Sequence, residues 1–279
     1  MTETEGVPTR PRSRALPALA ALLLLGSCTP PPPAQPPAPS AAELPTASAG
    51  TPSVPARDEA ARVEVASGDV TLEVSAPGAT PDDPRVRVAT DDRAGTATVT
   101  LDLTTDGPGA GGTAGAPATI ALTSPGTFEP HVDGSVTVRA DGAAVGGLAA
   151  PEGARLVAAD DTHLEVRSAT DGTSGRTDDD VTTTLGTSAV ERTDWGDREG
   201  GRSLAVVPTD WAREAGQAGT DLVWAELVAA DPEVDTATMH DQLECHAIGA
   251  PDKDSWNLEP WRPDVGLVAT MAARCNPTS

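Results

Sequence analysis

Short runs of alternating apolar and polar residues are the feature that most limits what this chain can fold into. Seven such runs occur between Glu59 and Leu185, separated by turn-forming residues such as Ser67-Gly68-Asp69. The runs are Arg62–Val65, Val70–Val74, Arg85–Val88, Thr96–Leu103, Thr119–Leu122, Ser135–Arg139 and His163–Arg167. Successive side chains of a strand point to opposite faces, so a period of two predicts half-buried strands. With no helical period between the runs, an antiparallel all-β domain, a sandwich or roll, is expected over residues 58–190.

The composition restricts both the core and the partners. Only 2% of the 279 residues are aromatic, so the core must be built mainly from Val, Leu, Ile and Ala. The formal net charge of −23 is the wrong sign for binding a phosphate backbone or an anionic lipid surface. We therefore expect no nucleic-acid partner. Arginine outnumbers lysine by 18 to 1, which we attribute to GC-rich coding and which suggests a high-GC Gram-positive bacterium as the source.

The N-terminus has the pattern of an export signal. Arg10, Arg12 and Arg14 precede an apolar run, Ala15 to Leu25, that falls short of the ~20 residues needed to span a bilayer. The following Leu25-Gly26-Ser27-Cys28 resembles the lipobox of bacterial lipoproteins, in which the cysteine is diacylated and becomes the first residue after cleavage. The resemblance implies a signal peptide over residues 1–27 and a palmitate-carrying Cys28 on the extracytoplasmic face of the cell membrane. The alternative is a plain signal peptide with an incidental cysteine.

A proline-rich segment follows Cys28. Residues 29–57 contain ten prolines, a composition that favours extended polyproline II at ~3.1 Å per residue. We expect residues 28–57 to form a tether of up to roughly 90 Å. The alternative is a ligand for a proline-binding domain.

Two later segments resemble ligand-binding motifs only superficially. Gly107–Gly112 matches a phosphate-binding glycine pattern, but no helix follows it, and Asp178–Asp180 lacks the spacing of a calcium loop. Neither segment is expected to bind a ligand.

The last third of the chain has helical patterning from about Asp194. Leu204 to Val207 forms one predicted strand, and four helices are expected after it. They begin at Thr209–Asp210, at Thr220 or Asp221, at Asp235 or Thr236, and at Asp264, and they end at Gly216, Asp231-Pro232, Ile248 and about Arg274. The sequence thus predicts an α+β protein, in which a small, mainly helical domain over residues 194–279 follows the all-β domain.

Two cysteines remain after Cys28. Cys245 and Cys275 are an even pair in an exported domain, and such pairs are typical of a disulfide. This disulfide would join the third predicted helix to the fourth, around the WNLEPW segment. Metal ligation is the alternative, but two cysteines without a CxxC pair are a weak metal motif. We expect no metal and no cofactor.

Seven residues of the last third could form a polar cleft. Gln242 and His246 lie four apart, on one face of the third predicted helix. The segment beyond that helix carries Trp256, Asn257, Glu259, Trp261 and Arg262. Such a cleft could bind a sugar, peptide or phosphate group, with His246 as a general base supported by Glu259 or Arg262. The competing interpretation is structural: a bonded helix histidine, a tryptophan core and a Glu259–Arg262 ion pair. No catalytic serine or metalloprotease motif is present.

Four segments resemble a known family. Arg198–Arg213 (REGGRSLAVVPTDWAR), Trp224–Leu227 (WAEL), Met239–Pro263 (MHDQLECHAIGAPDKDSWNLEPWRP) and Ala273–Pro277 (ARCNP) are similar to domain of unknown function 2599, found at the C-terminus of secreted bacterial proteins. The resemblance covers about the last 85 residues. It implies an exported domain and assigns no activity, substrate or role for His246.

These observations favour a lipid-anchored binding module within the cell envelope, with a glycan or a protein as its partner. Two alternatives stay open. The first is a hydrolase of envelope material that uses His246 with Glu259 or Arg262, and the second is a structural spacer without a ligand.

Overall fold

Every alternating run forms a strand as predicted, with ends that differ from the expected ones by up to three residues. The structure is a computed structural model that describes residues 61–103, 117–168, 180–198 and 200–278. The signal segment, Cys28, the proline-rich tether and the Gly107–Gly112 loop lie outside these residues, as does most of the Asp178–Asp180 run. All the described residues belong to one compact unit.

The described residues contain fourteen strands and four α-helices. The strands are β1 (Arg62–Ser67), β2 (Val70–Ser75), β3 (Val86–Asp91), β4 (Thr96–Asp102), β5 (Ala118–Leu122), β6 (Thr127–Pro130), β7 (Val136–Ala140), β8 (Ala143–Leu148), β9 (Ala154–Asp160), β10 (His163–Ser168), β11 (Asp180–Gly186), β12 (Val190–Arg198), β13 (Gly201–Pro208) and β14 (Trp256–Leu258). The helices are α1 (Asp210–Glu214), α2 (Gly216–Ala230), α3 (Ala237–Gly249) and α4 (Leu267–Ala272), with a 3-10 turn at Pro232–Val234.

The first eleven strands make two antiparallel sheets around a shared core. One sheet has the order β1-β2-β5-β10-β9, and the other has the order β3-β4-β11-β8-β7-β6. Burial alternates residue by residue along β2, β4 and β5, because only one face of each strand points inward. The core between the sheets is aliphatic apart from Phe128, as the low aromatic content predicts. The α+β fold class is confirmed.

Glycines on the outer face of the six-stranded sheet allow helices to pack directly on it. A Cβ atom at Gly186 in β11 would lie 2.2 Å from Trp211 of α1, and one at Gly147 in β8 would lie 2.8 Å from Ala218 of α2. The indole of Trp211 also donates to the Thr184 carbonyl (3.1 Å). The helices therefore form a third layer against the sheet, so the predicted all-β and helical parts share one unit.

Gly186→Ala is expected to lower the free energy of unfolding by about 1–3 kcal/mol, because the added methyl group must displace a buried indole. Gly249→Ala is the matched control. A Cβ there would meet no atom within 4 Å, so stability should stay unchanged or rise slightly with helix propensity. Urea denaturation of both variants measures the difference. Equal stabilities would contradict this packing.

The structure corrects the predicted start of the helical region. Residues 190–208, expected to be helical from Asp194 with one strand at Leu204, form the hairpin β12–β13 instead. Within the WNLEPW segment, β14 pairs with β13 and completes a three-stranded antiparallel sheet. A second apolar core, which includes Trp211, Leu222, Leu243 and Trp256, lies in this part of the chain.

The start of α2 was also mispredicted. Gly216, expected to end the first helix, is the first residue of α2 at φ +62°, and the helix starts four residues before Thr220. The carboxylate that caps α2 belongs to Asp133 in the turn after β6, where Oδ2 accepts from the Gln217 N–H (2.7 Å). Because the cap comes from 84 residues away, no local motif marks this helix start.

The other helix ends agree better with prediction. Thr209 caps α1 and Thr236 caps α3, as two of the expected start signals indicate. The last helix is shorter than expected: α4 begins at Leu267, and its N-cap is Gly266 rather than Asp264.

Candidate functional site

The predicted polar residues converge on the C-terminal half of α3, but they do so in the interior. Gln242 and His246, one helical turn apart, face β14 and the turn that follows it. The side-chain amide of Gln242 pairs with the backbone of Glu259 in both directions: its Nε2 donates to the Glu259 carbonyl, and its Oε1 accepts from the Glu259 N–H, each at 3.0 Å. Gln242 therefore extends the backbone hydrogen bonding of β14 onto the helix.

His246 is held in the same way. Its side chain is buried, and Nε2 lies 3.1 Å from the carbonyl oxygen of Asn257. A carbonyl oxygen only accepts, so Nε2 carries the proton in this bond. The imidazole thus fixes α3 to β14 and presents no accessible base at Nε2.

Glu259 and Arg262 form a buried ion pair. Their residues are 0% and 5% exposed, and Arg262 Nε donates to Glu259 Oε2. Arg262 Nη1 also donates to the carbonyl of Pro277 (3.3 Å). The pair therefore joins the turn after β14 to the C-terminus. A buried pair with these additional partners is expected to be structural, as the competing interpretation held.

A disulfide links the last residues of the chain to α3. Cys245 and Cys275 are bonded, with their Cα atoms 5.5 Å apart, in agreement with the expected pairing. Arg274 and Cys275 both adopt left-handed backbone conformations, with φ of 54° and 67°. The N–H of Cys275 donates to the Thr270 carbonyl of α4 (2.9 Å). The last residues of the chain are thus folded back onto α3.

The three predicted ligand-binding residues have different environments. Trp256 is buried in the second core, and its indole donates to the Ala250 carbonyl (3.2 Å). Asn257 is half-buried in β14. Trp261 is 45% exposed, lies over the backbone of Gly201 and has the Arg262 guanidinium 4.6 Å from its ring centre. Of the three, only Trp261 presents a large side chain to solvent.

Exposed apolar side chains follow Trp261 along the chain. Val268 of α4 is 83% exposed, and Val265 and Met271 are also exposed. Residues three apart share a helix face, so Val268 and Met271 point to the same side. We call Trp261, Val265, Val268 and Met271 the C-terminal apolar surface. Sequence reasoning named Trp261 but missed Val265, Val268 and Met271, although the all-apolar run Leu267–Ala269 in a short helix was a usable signal.

A separate cleft of about 510 Å³ lies where the turn after β6 meets α1, α2 and α3. It contains none of the seven residues predicted to form a cleft. Asp133 stands at this cleft. Burial raises the pKa of its carboxyl, but the hydrogen bonds from Gln217 and Ser135 outweigh that effect, and the net pKa is lowered. Elsewhere, burial raises the pKa of Glu226, against the opposing bonds from the Ala189 and Val190 N–H groups.

Within the described ranges, no three His, Cys, Asp or Glu side chains lie close enough together to hold a metal ion. None of the helices in that part of the chain is both long enough and apolar enough to cross a membrane.

Comparison with known proteins gives the family of this region. Residues 190–278 match the model of a family described as "Protein of unknown function (DUF2599)". The C-terminal third matches the DUF2599 family. The resemblance inferred from the four sequence segments is thereby confirmed. The match begins at β12, so the DUF2599 region contains the buried cluster, the disulfide and the C-terminal apolar surface, whereas β1–β11 lie outside it.

Curated relatives come from mycobacteria. Uncharacterised proteins of Mycobacterium tuberculosis and Mycobacterium bovis are 44% identical over 98 residues, which is 32% of this chain and 66% of theirs. An uncharacterised protein of Mycobacterium leprae is 42% identical over 64 residues, which is 22% of this chain and 52% of that protein. The chain thus spans less than two thirds of the length of these relatives. No solved structure matches the chain.

Proposed function

We propose that this chain is a lipid-anchored module of the cell envelope that binds a protein partner through the C-terminal apolar surface. The observation that carries the proposal is the exposure of Trp261 together with three aliphatic or thioether side chains in one eleven-residue segment. Soluble proteins rarely leave such groups together in water unless they serve an interaction.

The surroundings of Trp261 support a binding role. The guanidinium beneath its ring is fixed by Glu259 and by the Pro277 carbonyl, and the indole rests against Gly201. The disulfide at Cys275 holds the end of α4. A preordered aromatic side chain loses little conformational entropy when it binds, and tryptophan is the residue most enriched at the energetic centres of protein interfaces.

A protein partner fits this surface better than a glycan. Sugar recognition needs polar side chains that form hydrogen bonds around the aromatic ring. The neighbouring polar groups Gln242, Glu259 and Arg262 are buried and already paired within the protein. The other three members of the C-terminal apolar surface are aliphatic or thioether side chains, which suit the apolar centre of a protein interface, and the exposed Asp264 between them suits its polar rim.

The hydrolase alternative has less support. A general base must lie within hydrogen-bond reach of the substrate proton. His246 is buried, its Nε2 is bonded to Asn257, and the cleft of about 510 Å³ is lined by other residues. The spacer alternative does not explain why the apolar side chains of Trp261 and Val268 are exposed to solvent.

Crosslinking tests the proposed surface. A photoreactive residue in place of Val268, in the chain expressed in its own bacterium, should give a protein adduct, whereas one at the exposed Glu152 should not. Adding Trp261→Ala should remove that adduct, because truncating a central tryptophan costs about 2 kcal/mol or more of binding energy. A half-exposed tryptophan is not expected to be needed for folding, which circular dichroism would verify. If no adduct forms, or if Trp261→Ala leaves the adduct unchanged, the C-terminal apolar surface is not the binding site. If purified wall glycan binds and this binding requires Trp261, the partner is a glycan rather than a protein.

The anchoring part of the proposal has its own test. Cys28→Ser should release the protein from the membrane fraction, because the two acyl chains that make anchoring stable would be absent. Detergent-free fractionation with immunoblotting measures the partition, and mass spectrometry of the wild-type N-terminus measures acylation. A Ser variant that stays with the membrane would contradict the lipobox interpretation.

A further inference from the structure

The cleft between the sandwich and the helices is a second concave surface, separate from the C-terminal apolar surface. Its walls come from the turn after β6 and from α1, α2 and α3, and its volume of about 510 Å³ lies within the range of ligand sites. Its lining includes Val132, Asp133, Arg213, Gln217 and Ile248.

Much of the hydrogen-bond donor capacity of the cleft is taken up within the protein. Gln217 Nε2 donates to Asp221 (2.9 Å) and Glu244 (3.2 Å). The guanidinium of Arg213 donates to the carbonyls of Pro251, Lys253 and Asp254. The arginine therefore acts mainly as a clamp on the loop after α3.

Acceptor capacity remains. A carboxylate has about four acceptor positions. Asp133 uses three of them, for the Ser135 N–H, the Ser135 hydroxyl and the Gln217 N–H. Asp133 is exposed, and its lowered pKa keeps it ionised near neutral pH. The Asp133 carboxylate thus has room for one more donor, whereas the Arg213 guanidinium in the same lining is engaged by three loop carbonyls.

Two aliphatic side chains stand at the same cleft. Val132 is fully exposed and Ile248 is 61% exposed. An aliphatic group bound between them would remove apolar surface from water. This burial would stabilise the complex by about 25 cal/mol per Å² of apolar area covered.

We infer that the cleft binds a peptide segment in which a basic side chain lies next to an aliphatic one. The basic group pairs with Asp133, and the aliphatic group packs between Val132 and Ile248. The net charge of −23 attracts such a segment from a distance and repels acidic competitors. This site is independent of the proposed function, because it uses different residues: none of the cleft residues belongs to the C-terminal apolar surface.

Titration of the full-length Cys28→Ser chain with three short peptides, followed by NMR of labelled protein, tests the inference. The probe is acetyl-Leu-Lys-Leu-amide. The first control peptide has norleucine for lysine, and the second has alanine for both leucines. The probe should give saturable shifts at Val132, Gln217 and Ile248, and raising the salt concentration should weaken its binding. Each control peptide should bind at least about tenfold more weakly, the change expected when a charge-assisted hydrogen bond or a buried aliphatic group is lost.

Two variants locate the binding. Asp133→Asn removes the charge and keeps one carbonyl oxygen that can still cap α2, although its NH₂ then faces Ser135; it should weaken binding about tenfold, with the fold checked by circular dichroism. Ile248→Ser removes apolar surface at an exposed position and should also weaken binding with no loss of fold. Val268→Ser, on the C-terminal apolar surface, should leave probe binding unchanged. Equal binding of the norleucine peptide, no shifts at the cleft, or unchanged affinity in Ile248→Ser would each overturn the inference.

Discussion

Replacement of Arg262 by methionine is expected to lower the free energy of unfolding by about 3–5 kcal/mol, because it leaves the carboxylate of Glu259 buried without a charge partner. The residue is only 5% exposed, so solvent cannot replace the guanidinium. The variant also loses the bond to the Pro277 carbonyl. Urea denaturation followed by circular dichroism measures the change.

A matched control separates burial from pairing. Arg62 pairs with Glu73 at 3.0 Å, but their side chains are 59% and 38% exposed. Arg62→Met should therefore cost no more than about 1 kcal/mol. The double variant Glu259→Leu with Arg262→Met should recover part of the loss, because it removes the unpaired charge. Similar losses from Arg62→Met and Arg262→Met would contradict the buried-pair interpretation.

The second large effect is expected at the disulfide. Changing both Cys245 and Cys275 to serine removes a cross-link between residues 30 apart, which the chain-entropy model values at roughly 3–4 kcal/mol. For a folded unit of this size, the loss corresponds to a fall of about 10 °C in melting temperature. Calorimetry measures it.

Reductant provides the control for the disulfide. Strong reductant under unfolding conditions should lower the refolded stability of the wild-type chain to that of the double serine variant, and it should leave the variant itself unchanged. Hydrogen exchange should rise most in residues 267–277, because in α4 only Thr270 is buried. An equal increase in hydrogen exchange throughout the described residues would show instead that the disulfide stabilises the whole unit.

Both predictions bear on the proposed binding surface. The ion pair and the disulfide hold the two sides of the segment that carries Trp261 and α4, so loss of either should also weaken partner binding. If the proposed surface binds a partner, Glu259 and Arg262 act as positioning residues, because they flank the exposed indole of Trp261 and are themselves buried.

The sequence predicted correctly those features that depend on neighbouring residues in the chain. The period of two predicted seven of the eleven sandwich strands, because alternation reports which side chains face a core; β6, β8, β9 and β11 lay outside the alternating runs. Thr209 and Thr236 marked the starts of α1 and α3, because a side-chain cap bonds to a backbone N–H within three residues. The pairing of Cys245 with Cys275 followed from counting cysteines in a chain that the sequence predicts to be exported.

Only the tertiary structure decided the rest, because the interactions concerned join distant parts of the chain. Gly216 reads as a helix stop, yet it begins α2 because Asp133 supplies the cap from another turn. Gly147 and Gly186 are strand residues that make room for Ala218 and Trp211, contacts from distant segments that no local pattern records. Spacing placed Gln242, His246, Glu259 and Arg262 together, but it could not distinguish an open cleft from an interior. That distinction depends on which surfaces the hairpin β12–β13 and the C-terminus cover, and no periodicity within the segment records it.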